Sequence, residues 1–406
     1  MATPPLPQES PDFSLVLGGP LYQLLRRAHL SGPALEEVQR RVILAALITW
    51  LPLALLSLIQ GAPAGAKLTF LHDIEAHVRF LIALPVLIAA ELIVHQRMRI
   101  TVKRFMERGI VRSREVPKFN SAIEAAMRLR NSLPLEIALV IFTYTVGHWV
   151  WHSQTALETA SWYAVPEGSH SRLTLPGYWY AWISLPVFQF ILLRWYMRFF
   201  IWFQFLWRVS RLDLHLLPAH PDRSGGLGFL GTGSYAFSPI LFAQGALLAG
   251  VIANRIFYQG QNLLSYKLNI VGFVAVFLVI ILAPLLVFTP HLMAAKRRGL
   301  GEYGTLAASY VAGFEEKWLP GGDQKSKSHG EELLGSGDIQ SLADLGNSFG
   351  FVREMRPVPF GLQDVTDRQT LPGVLVDQRQ QPQRPAIVRQ GADEIVAPDV
   401  ILMLRP

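Results

Sequence analysis

The sequence predicts an all-α protein: a polytopic membrane helical bundle with about six transmembrane helices, amphipathic cytoplasmic helices and a poorly ordered C-terminal tail. Composition is the first observation, since 51% of the 406 residues are hydrophobic, only 17% are charged and the mean hydropathy is +0.29. Ordinary soluble domains carry more charge than this. The second observation is a series of apolar runs, each long enough to cross roughly 30 Å of hydrocarbon.

The apolar runs define the expected spans. They cover residues 42–60, 78–94, 135–151, 178–200, 235–257 and 268–290. The fourth run, YWYAWISLPVFQFILLRWYMRFF, is rich in aromatic residues and contains Arg194 and Arg198, one helical turn apart on one face. It is the stretch around which we expect the rest of the chain to be organised.

Four regions are expected along the chain. Residues 1–41 form an N-terminal cytoplasmic segment, disordered up to Phe13, with a short interfacial helix at residues 20–29, and no cleavable signal peptide is expected. Residues 42–298 form the transmembrane domain, which includes a basic cytoplasmic hairpin at residues 96–132. Residues 299–360 form a cytoplasmic helical segment with a flexible linker, and residues 361–406 a disordered tail.

Basic residues predict the orientation, because cytoplasmic loops of membrane proteins are rich in Lys and Arg. The even loops and both ends carry most of them: Arg26, Arg27, Arg40 and Arg41; Arg97, Arg99, Lys103, Arg104, Arg108, Arg112, Arg114, Lys118, Arg128 and Arg130; Arg208, Arg211 and Arg223; Lys296, Arg297 and Arg298. The odd loops contain only Lys67, Arg172 and Lys267. We therefore expect both termini on the cytoplasmic side of the membrane.

The net charge of +7 does not indicate nucleic acid as a partner, because no nucleic-acid-binding motif accompanies it. The basic hairpin instead fits two amphipathic helices that lie against anionic lipid headgroups. A gate or a partner-docking hairpin is the alternative for this segment. A second copy or a membrane complex partner is a further expected partner of the protein. The absence of cysteine excludes disulfides and thiolate metal sites.

Three stretches carry a resemblance: HPDRSGGLGFL at residues 220–230, DIQSLADLGNSF from residue 338 and VREMRPVPF ending at residue 360. Together they resemble a family of uncharacterised bacterial multi-pass inner-membrane proteins, to which no activity is attached. The resemblance covers residues 20–360 and implies further apolar sequence beyond them. The chain departs from that pattern at Gly361, where its composition turns to Gln, Arg, Asp and Pro.

The loop after the fourth run is one candidate site. It contains His215, His220, Asp222, Arg223, Gly225 and Gly226. Its glycines permit positive φ angles, which would allow an anion-binding nest of backbone N–H groups beside Arg223. The spacing differs from that of a nucleotide-binding phosphate loop. The interpretation that we prefer is a structural turn in which Asp222 and Arg223 hydrogen-bond backbone groups, and a gate or an ion-coordinating loop is the remaining alternative.

Histidines near the outer ends of the first three spans are a second candidate site. His148 and His152 lie one helical turn apart, and His72 and His77 flank two carboxylates in the first outer loop. Interfacial packing of these side chains is the interpretation that we prefer, and a zinc, copper or haem site is the alternative.

Charges inside the spans form the third candidate site, since they are costly and need partners. Glu91 and Arg194 are expected at similar depth near the cytoplasmic side, where they can pair, and Arg255 is expected within reach of Asp73 or Glu75. Prolines at positions 52, 85, 186 and 284 free backbone carbonyl groups inside the spans.

Three functions follow from these candidates. The first is a channel or transporter whose pathway is lined by the Pro-kinked helices, Glu91, Arg194 and Arg198. The second is a scaffold or regulatory subunit that docks a cytoplasmic partner, and the third is a metal- or haem-binding redox subunit. The sequence contains no nucleophile–base arrangement or cofactor motif, so an enzyme is less expected.

Overall fold

The computed structural model describes residues 13–28, 37–61, 63, 68–154, 161–167, 170–319 and 337–361. Ten helices and one β-hairpin account for most of this part of the chain. They are α1 (Pro20–Arg27), α2 (Val38–Gln60), α3 (Ile74–Glu107), α4 (Val116–Arg130), α5 (residues 133–154), β1 (Ala164–Glu167), β2 (His170–Leu173), α6 (residues 175–209), α7 (Phe229–Gln259), α8 (Leu263–Leu286), α9 (Thr289–Trp318) and α10 (Gly337–Glu354). The predicted all-α membrane bundle is confirmed.

Five helices are long and apolar enough to cross a membrane: α2, α3, α5, α7 and α8. The predicted span at residues 178–200 lies inside α6, which is not among them. Its many Trp and Tyr side chains, and its arginines, lower its hydropathy. Much of α6 packs against other helices, so its polar groups meet protein rather than lipid.

Helices α3 and α6 form the centre of the bundle. Helix α3 packs against α2, α6 and α7, and α6 also contacts α4, α5 and α8. In the most apolar 18-residue stretch of each of these helices, 44% of the residues are buried in α3 and 39% in α7. The corresponding share is 11% in α2 and in α5, and 17% in α8. The last three helices therefore present most of their apolar side chains outward, as lipid contact requires.

Prolines shape the spans, and neighbouring helices bind the carbonyl groups that they free. Pro52 removes the N–H that would bind Ile48 O, and the indole of Trp179 donates to that oxygen at 3.0 Å. Pro186 likewise frees Trp182 O, which accepts from the Tyr144 hydroxyl at 3.1 Å. Three π-helical turns, Val78–Ala83, Thr143–Gly147 and Tyr180–Ser184, widen α3, α5 and α6 near one end of the bundle.

The segment before α1 is part of the core, although disorder was predicted up to Phe13. Phe13 is 2% exposed, and its ring lies 4.9 Å from that of Phe205 and 6.1 Å from that of Trp202. The Ser14 hydroxyl lies 2.8 Å from Nδ1 of His95. Burial of this ring against α6 outweighs the polar, Pro-rich composition on which the prediction rested. The predicted disorder of residues 1–12, 320–336 and 362–406 lies outside the described residues.

Beyond the last span, α9 and α10 form a helical hairpin. The Asp338 carboxylate accepts from Lys317 Nζ at 2.9 Å and from the Trp318 indole at 3.1 Å, which joins the end of α9 to the start of α10. These two donors lower the pKa of Asp338. Helix α9 begins at Thr289, earlier than the predicted amphipathic helix at residues 302–318, since it continues directly from the last span.

Candidate functional site

Five charged side chains from four helices meet inside the bundle. We call them the ionic cluster: Arg41 on α2, Glu91 on α3, Glu136 on α5, and Arg194 and Arg198 on α6. Each residue is at most 8% exposed. They come together because α2 and α5 begin at the same end of the bundle, where α3 and α6 run side by side. We call this the basic end, because α4 and the arginine-rich end of α3 lie there.

Glu91 is the shared partner of the cluster. Its Oε2 accepts from Arg41 Nη1 at 2.5 Å, and its Oε1 accepts from Arg198 Nη2 at 2.6 Å. Arg194 Nη1 lies further away, 4.0 Å from Oε1. Arg198 also lies over the ring of Trp195, 4.5 Å from its centroid. One carboxylate therefore holds three helices together through two close ion pairs and one distant one.

Glu136 connects the cluster to the start of α1. Its Oε2 accepts from the backbone N–H of Leu21, at the start of α1, at 2.8 Å. Its Oε1 lies 3.4 Å from Arg194 Nη2, which is too long and poorly aligned for a good hydrogen bond. Arg194 is thus shared between two carboxylates and is held tightly by neither.

Four buried atoms of the cluster have no hydrogen-bond partner among the described residues: Arg41 Nε and Nη2, Arg194 Nε and Glu136 Oε1. Buried polar atoms are nearly always hydrogen-bonded in folded proteins, and exceptions indicate bound water, an ion or a functional role. Because four such atoms lie in one cluster, the buried charges of the ionic cluster are incompletely hydrogen-bonded.

Arg130, at the end of α4, adds further positive charge beside the cluster. Its Nη1 donates to the Ser14 carbonyl at 2.5 Å, which fixes the N-terminal segment at the basic end. Burial and repulsion by Arg198 lower the pKa of Arg130 to about 10, so it remains charged at neutral pH. The described charges at this end therefore include more arginine than carboxylate.

Sequence reasoning placed Glu91 and Arg194 at the same depth, and they are indeed near each other. The closer partners of Glu91, however, are Arg198 and Arg41. Arg41 was counted only as a basic residue before the first span, and Glu136 was not singled out. The helical phase of each helix decides which of these charges face one another, and a single sequence does not give it.

Arg255 does not fill the expected role. The Asp73 carboxylate accepts from Asn254 Nδ2 at 2.8 Å and from the Trp162 indole at 2.8 Å, while Glu75 pairs with Arg79 on the next turn of its own helix. The Arg255 guanidinium instead lies 6.0 Å from the ring centroid of Tyr266. Asn254, the residue before Arg255, therefore makes the contact with Asp73 that we expected of Arg255.

The loop after α6, residues 210–228, is organised by Asp222. Its carboxylate accepts from the backbone N–H groups of Ser224 at 2.8 Å, Gly226 at 3.1 Å and Gly228 at 2.9 Å. His220 Nδ1 also lies 2.9 Å from Oδ1. The N–H groups that would form an anion-binding nest are thus occupied by the chain's own carboxylate.

The same loop is the joint between the membrane helices and the C-terminal hairpin. His215 donates its backbone N–H to Ile110 O at 2.8 Å, next to the end of α3. Arg223 adopts a φ of 54° and pairs with Glu354 of α10 at 3.1 Å. Gly225 has a φ of 62°, and a Cβ there would lie 3.0 Å from the Met355 methyl group, so a larger residue would strain the joint twice.

His72, His77 and His148 each contact a different polar or aromatic partner. His77 Nδ1 accepts from the Trp50 indole at 2.9 Å, and His72 Nδ1 lies 2.6 Å from the Thr69 hydroxyl. The His148 ring packs against Trp151 and Trp182. Among the described residues, no group of three or more His, Asp and Glu side chains is placed to hold a metal ion, and the side chain of His152 lies outside that part.

The fold and the ionic cluster define a class: a multi-pass membrane protein with a buried, incompletely satisfied charge cluster at one end of its bundle. No protein-family model matches the chain, and no match was found among curated proteins or solved structures.

Replacing Glu91 tests the cluster's structure. In Glu91→Gln, three buried arginines lose their shared counter-charge, and we expect a loss of about 3–5 kcal/mol in the free energy of unfolding. The double variant Glu91→Gln with Arg198→Gln should recover part of this loss. A double-mutant cycle on thermal unfolding in detergent measures the coupling, which should be larger for Arg198 than for the more distant Arg194.

Glu124→Gln is the matched control for Glu91→Gln, because the Glu124 side chain is 63% exposed and its pair with Arg128 is a surface pair. Its melting temperature should equal that of the native protein. Strictly additive effects of Glu91 and Arg198 would contradict the pairing.

Replacing Asp222 tests the joint. Asp222→Asn keeps the size but removes one of two accepting oxygens, so at least one loop N–H loses its partner, at a cost of about 1–3 kcal/mol. Limited proteolysis should then cut within residues 210–228 faster than in the native protein. Asp213→Asn is a change of the same kind at an exposed carboxylate that pairs with Arg112 and Arg114, and it should leave the cutting rate unchanged because such surface pairs contribute little. Equal acceleration would refute the special role of Asp222.

Proposed function

We propose that this protein is a channel or transporter in the cytoplasmic membrane of a bacterium, with both termini in the cytoplasm. The observation that carries the proposal is the ionic cluster, in which four buried atoms have no hydrogen-bond partner among the described residues. A purely structural charge network buried among spans would be expected to satisfy its donors and acceptors, because each unsatisfied group costs free energy. Incomplete pairing favours a site that exchanges partners, as a permeation pathway does.

The surroundings of the cluster support this assignment. It lies where α2, α3, α5 and α6 meet, and α2, α3 and α6 each contain a proline that interrupts regular hydrogen bonding. The π-helical turns add further irregular backbone to α3, α5 and α6. Irregular helices inside a bundle are typical of proteins that bind or pass polar solutes at membrane depth.

The N-terminal segment, residues 13–19, closes the basic end next to the cluster. Phe13, Leu15 and Val16 are each at most 2% exposed. The segment is not helical, and side chains of α3 and α4 bind its polar groups. In the proposed pathway this segment is the barrier at the cytoplasmic side.

A scaffold or regulatory subunit is the second candidate, favoured by the C-terminal hairpin. A cleft of about 390 Å³ lies between α9 and α10, lined by Leu306, Ser309, Tyr310, Gly313, Phe314, Lys317 and Asp338. Its mixture of aromatic and charged groups suits a peptide partner. Anionic headgroups against the basic end, and a second copy or membrane partner on the apolar faces, are the contacts that we propose for the bundle itself.

Reporter fusions test the orientation and decide whether α6 spans. Fusions at Gly168 and Gln261 should report outside, and fusions at Ser113, Ser224 and Gly322 inside, because the basic residues are retained in the cytoplasm. An inside signal at Gln261 together with an outside signal at Ser224 would show that α6 does not cross, and would remove it from the pathway.

Flux through liposomes tests the proposed activity. Purified protein should move small ions or solutes across the bilayer. Glu91→Gln should change the transport rate at least about tenfold, because a change of about 1.4 kcal/mol in the activation free energy of transport is enough for that. The Glu124→Gln control should retain the native rate. If the native protein moves no cations, halides, oxoanions or protons, the result favours the scaffold function instead.

A further inference from the structure

The C-terminal hairpin extends from the bundle without a core of its own. Beyond Gly299, α9 continues for about 28 Å, at roughly 1.5 Å per residue. No described residue at positions 300–319 or 337–351 is buried, and Leu306, Val311, Leu319 and Ile339 are between 36% and 52% exposed. Helices gain most of their stability by packing an apolar side against other elements. Among the described residues, the apolar surface of the hairpin therefore lacks a covering layer.

The charge of the hairpin limits which partner can cover it. Residues 300–319 and 337–352 contain one base, Lys317, and five carboxylates: Glu302, Glu315, Glu316, Asp338 and Asp344. A second copy of the same hairpin would bring like charges together, and anionic lipid headgroups would repel the hairpin in the same way. The surface that fits it is therefore both apolar and basic.

The end of α3 carries a surface of that kind, which we call the basic stripe. It consists of Gln96, Arg97, Ile100, Lys103 and Arg104, which are spaced three and four residues apart and so lie along one side of the helix. Ile100 is 48% exposed, Gln96 and Lys103 are also exposed, and the two arginines are partly exposed. Since hairpin and stripe are both open in one copy, the hairpin does not cover its own stripe.

The bases of the stripe lack a counter-charge. Other bases at the same end form ion pairs with carboxylates, namely Arg108, Arg112, Lys118 and Arg128. Arg97, Lys103 and Arg104 form no ion pair among the described residues, and Arg97 and Arg108 repel Arg104. Carboxylates brought against the stripe would offset this repulsion.

We propose that the C-terminal hairpin of one copy packs against the basic stripe of a second copy in the same membrane. Both surfaces lie at the same end of the bundle, since the Phe288 ring, just before α9, is 6.4 Å from the Phe105 ring near the end of α3. Copies that lie side by side in a bilayer therefore hold the hairpin and the stripe at a similar height.

The cleft between α9 and α10 gives this contact its apolar part. Leu306, Tyr310 and Phe314 are among its lining residues, and the exposed Ile100 side chain of the second copy is the group that it takes. The carboxylates of the hairpin then face the bases beside Ile100. Because the contact joins two unlike surfaces, it repeats from copy to copy. This assembly goes beyond the proposed transport function and does not depend on it.

Disulfide cross-linking tests the contact, because the chain contains no cysteine. Gln96→Cys places one thiol on the basic stripe, and Ser309→Cys places one at the cleft, both at exposed positions. A tagged Gln96→Cys protein and an untagged Ser309→Cys protein are produced in the same cells, and their membranes are oxidised. We expect a mixed dimer that carries one tag. Either variant alone should give a far smaller yield of dimer, since each copy has a single thiol on only one of the two surfaces.

Charge reversal distinguishes a specific contact from random collision. Arg104→Glu in the Gln96→Cys copy should lower the initial rate of cross-linking at least about threefold, because an attraction becomes a repulsion. Glu315→Lys together with Glu316→Lys in the Ser309→Cys copy should restore the rate.

Arg128→Glu in the Gln96→Cys copy is the matched control. Arg128 lies at the same end, its side chain is 70% exposed and it pairs with Glu124 on its own helix. The cross-linking rate of this control should equal that of the Gln96→Cys protein without further changes.

Three outcomes would overturn the inference. Absence of the mixed dimer would mean that anionic headgroups or another partner cover the stripe in the membrane. Dimers of Ser309→Cys alone, formed at the rate of the mixed dimer, would show that hairpins pair with each other. A charge reversal without rescue, in variants that elute from a sizing column as the native protein does, would show that these charges do not meet. Flux is measured separately: the mixed dimer without any flux would refute transport and leave the assembly, and flux without the mixed dimer would do the reverse.

Discussion

The carboxylate of Glu91 is the constraint on which the membrane domain depends. It lies inside the central helix α3 and compensates arginines from two other helices, with ion pairs of 2.5 and 2.6 Å. Burial of these groups is costly unless they remain together. The packing of α2 and α6 against α3 is therefore tied to one side chain, and movement of either helix must break or exchange an ion pair.

Aromatic side chains support this arrangement by donating hydrogen bonds to backbone carbonyl groups of neighbouring helices. The indole of Trp195, fully buried in α6, donates to the Leu87 carbonyl of α3 at 3.1 Å, one turn from Glu91. The indole of Trp179 and the hydroxyl of Tyr144 bind carbonyl groups that prolines leave free. Aromatic residues with a polar atom suit this role because they fill space and supply one hydrogen bond each. The proline kinks are thereby stabilised from outside the kinked helix.

The basic end connects this core to the rest of the chain. The N-terminal segment binds it through Glu136 and Arg130, and the loop at residues 210–228 connects it to the C-terminal hairpin through Asp222, Arg223 and Met355. A change in the ionic cluster can thus reach α1, which directly follows the N-terminal segment, through the contact of Glu136 with Leu21. Such a chain of direct contacts is the physical requirement for coupling a solute site to a barrier or to a cytoplasmic partner.

The sequence by itself determined the all-α membrane class, five of the six expected spans and the intramembrane charges that need partners, because hydrophobic length and the cost of charge in lipid act on each segment alone. It also indicated that Asp222 organises a turn, from local Gly and Asp chemistry. The tertiary structure decided that Glu91 pairs most closely with Arg198 and Arg41, that Asn254 replaces Arg255 at Asp73, and that Phe13 is buried. These contacts depend on the rotation of each helix about its axis and on long-range packing, which no local pattern encodes.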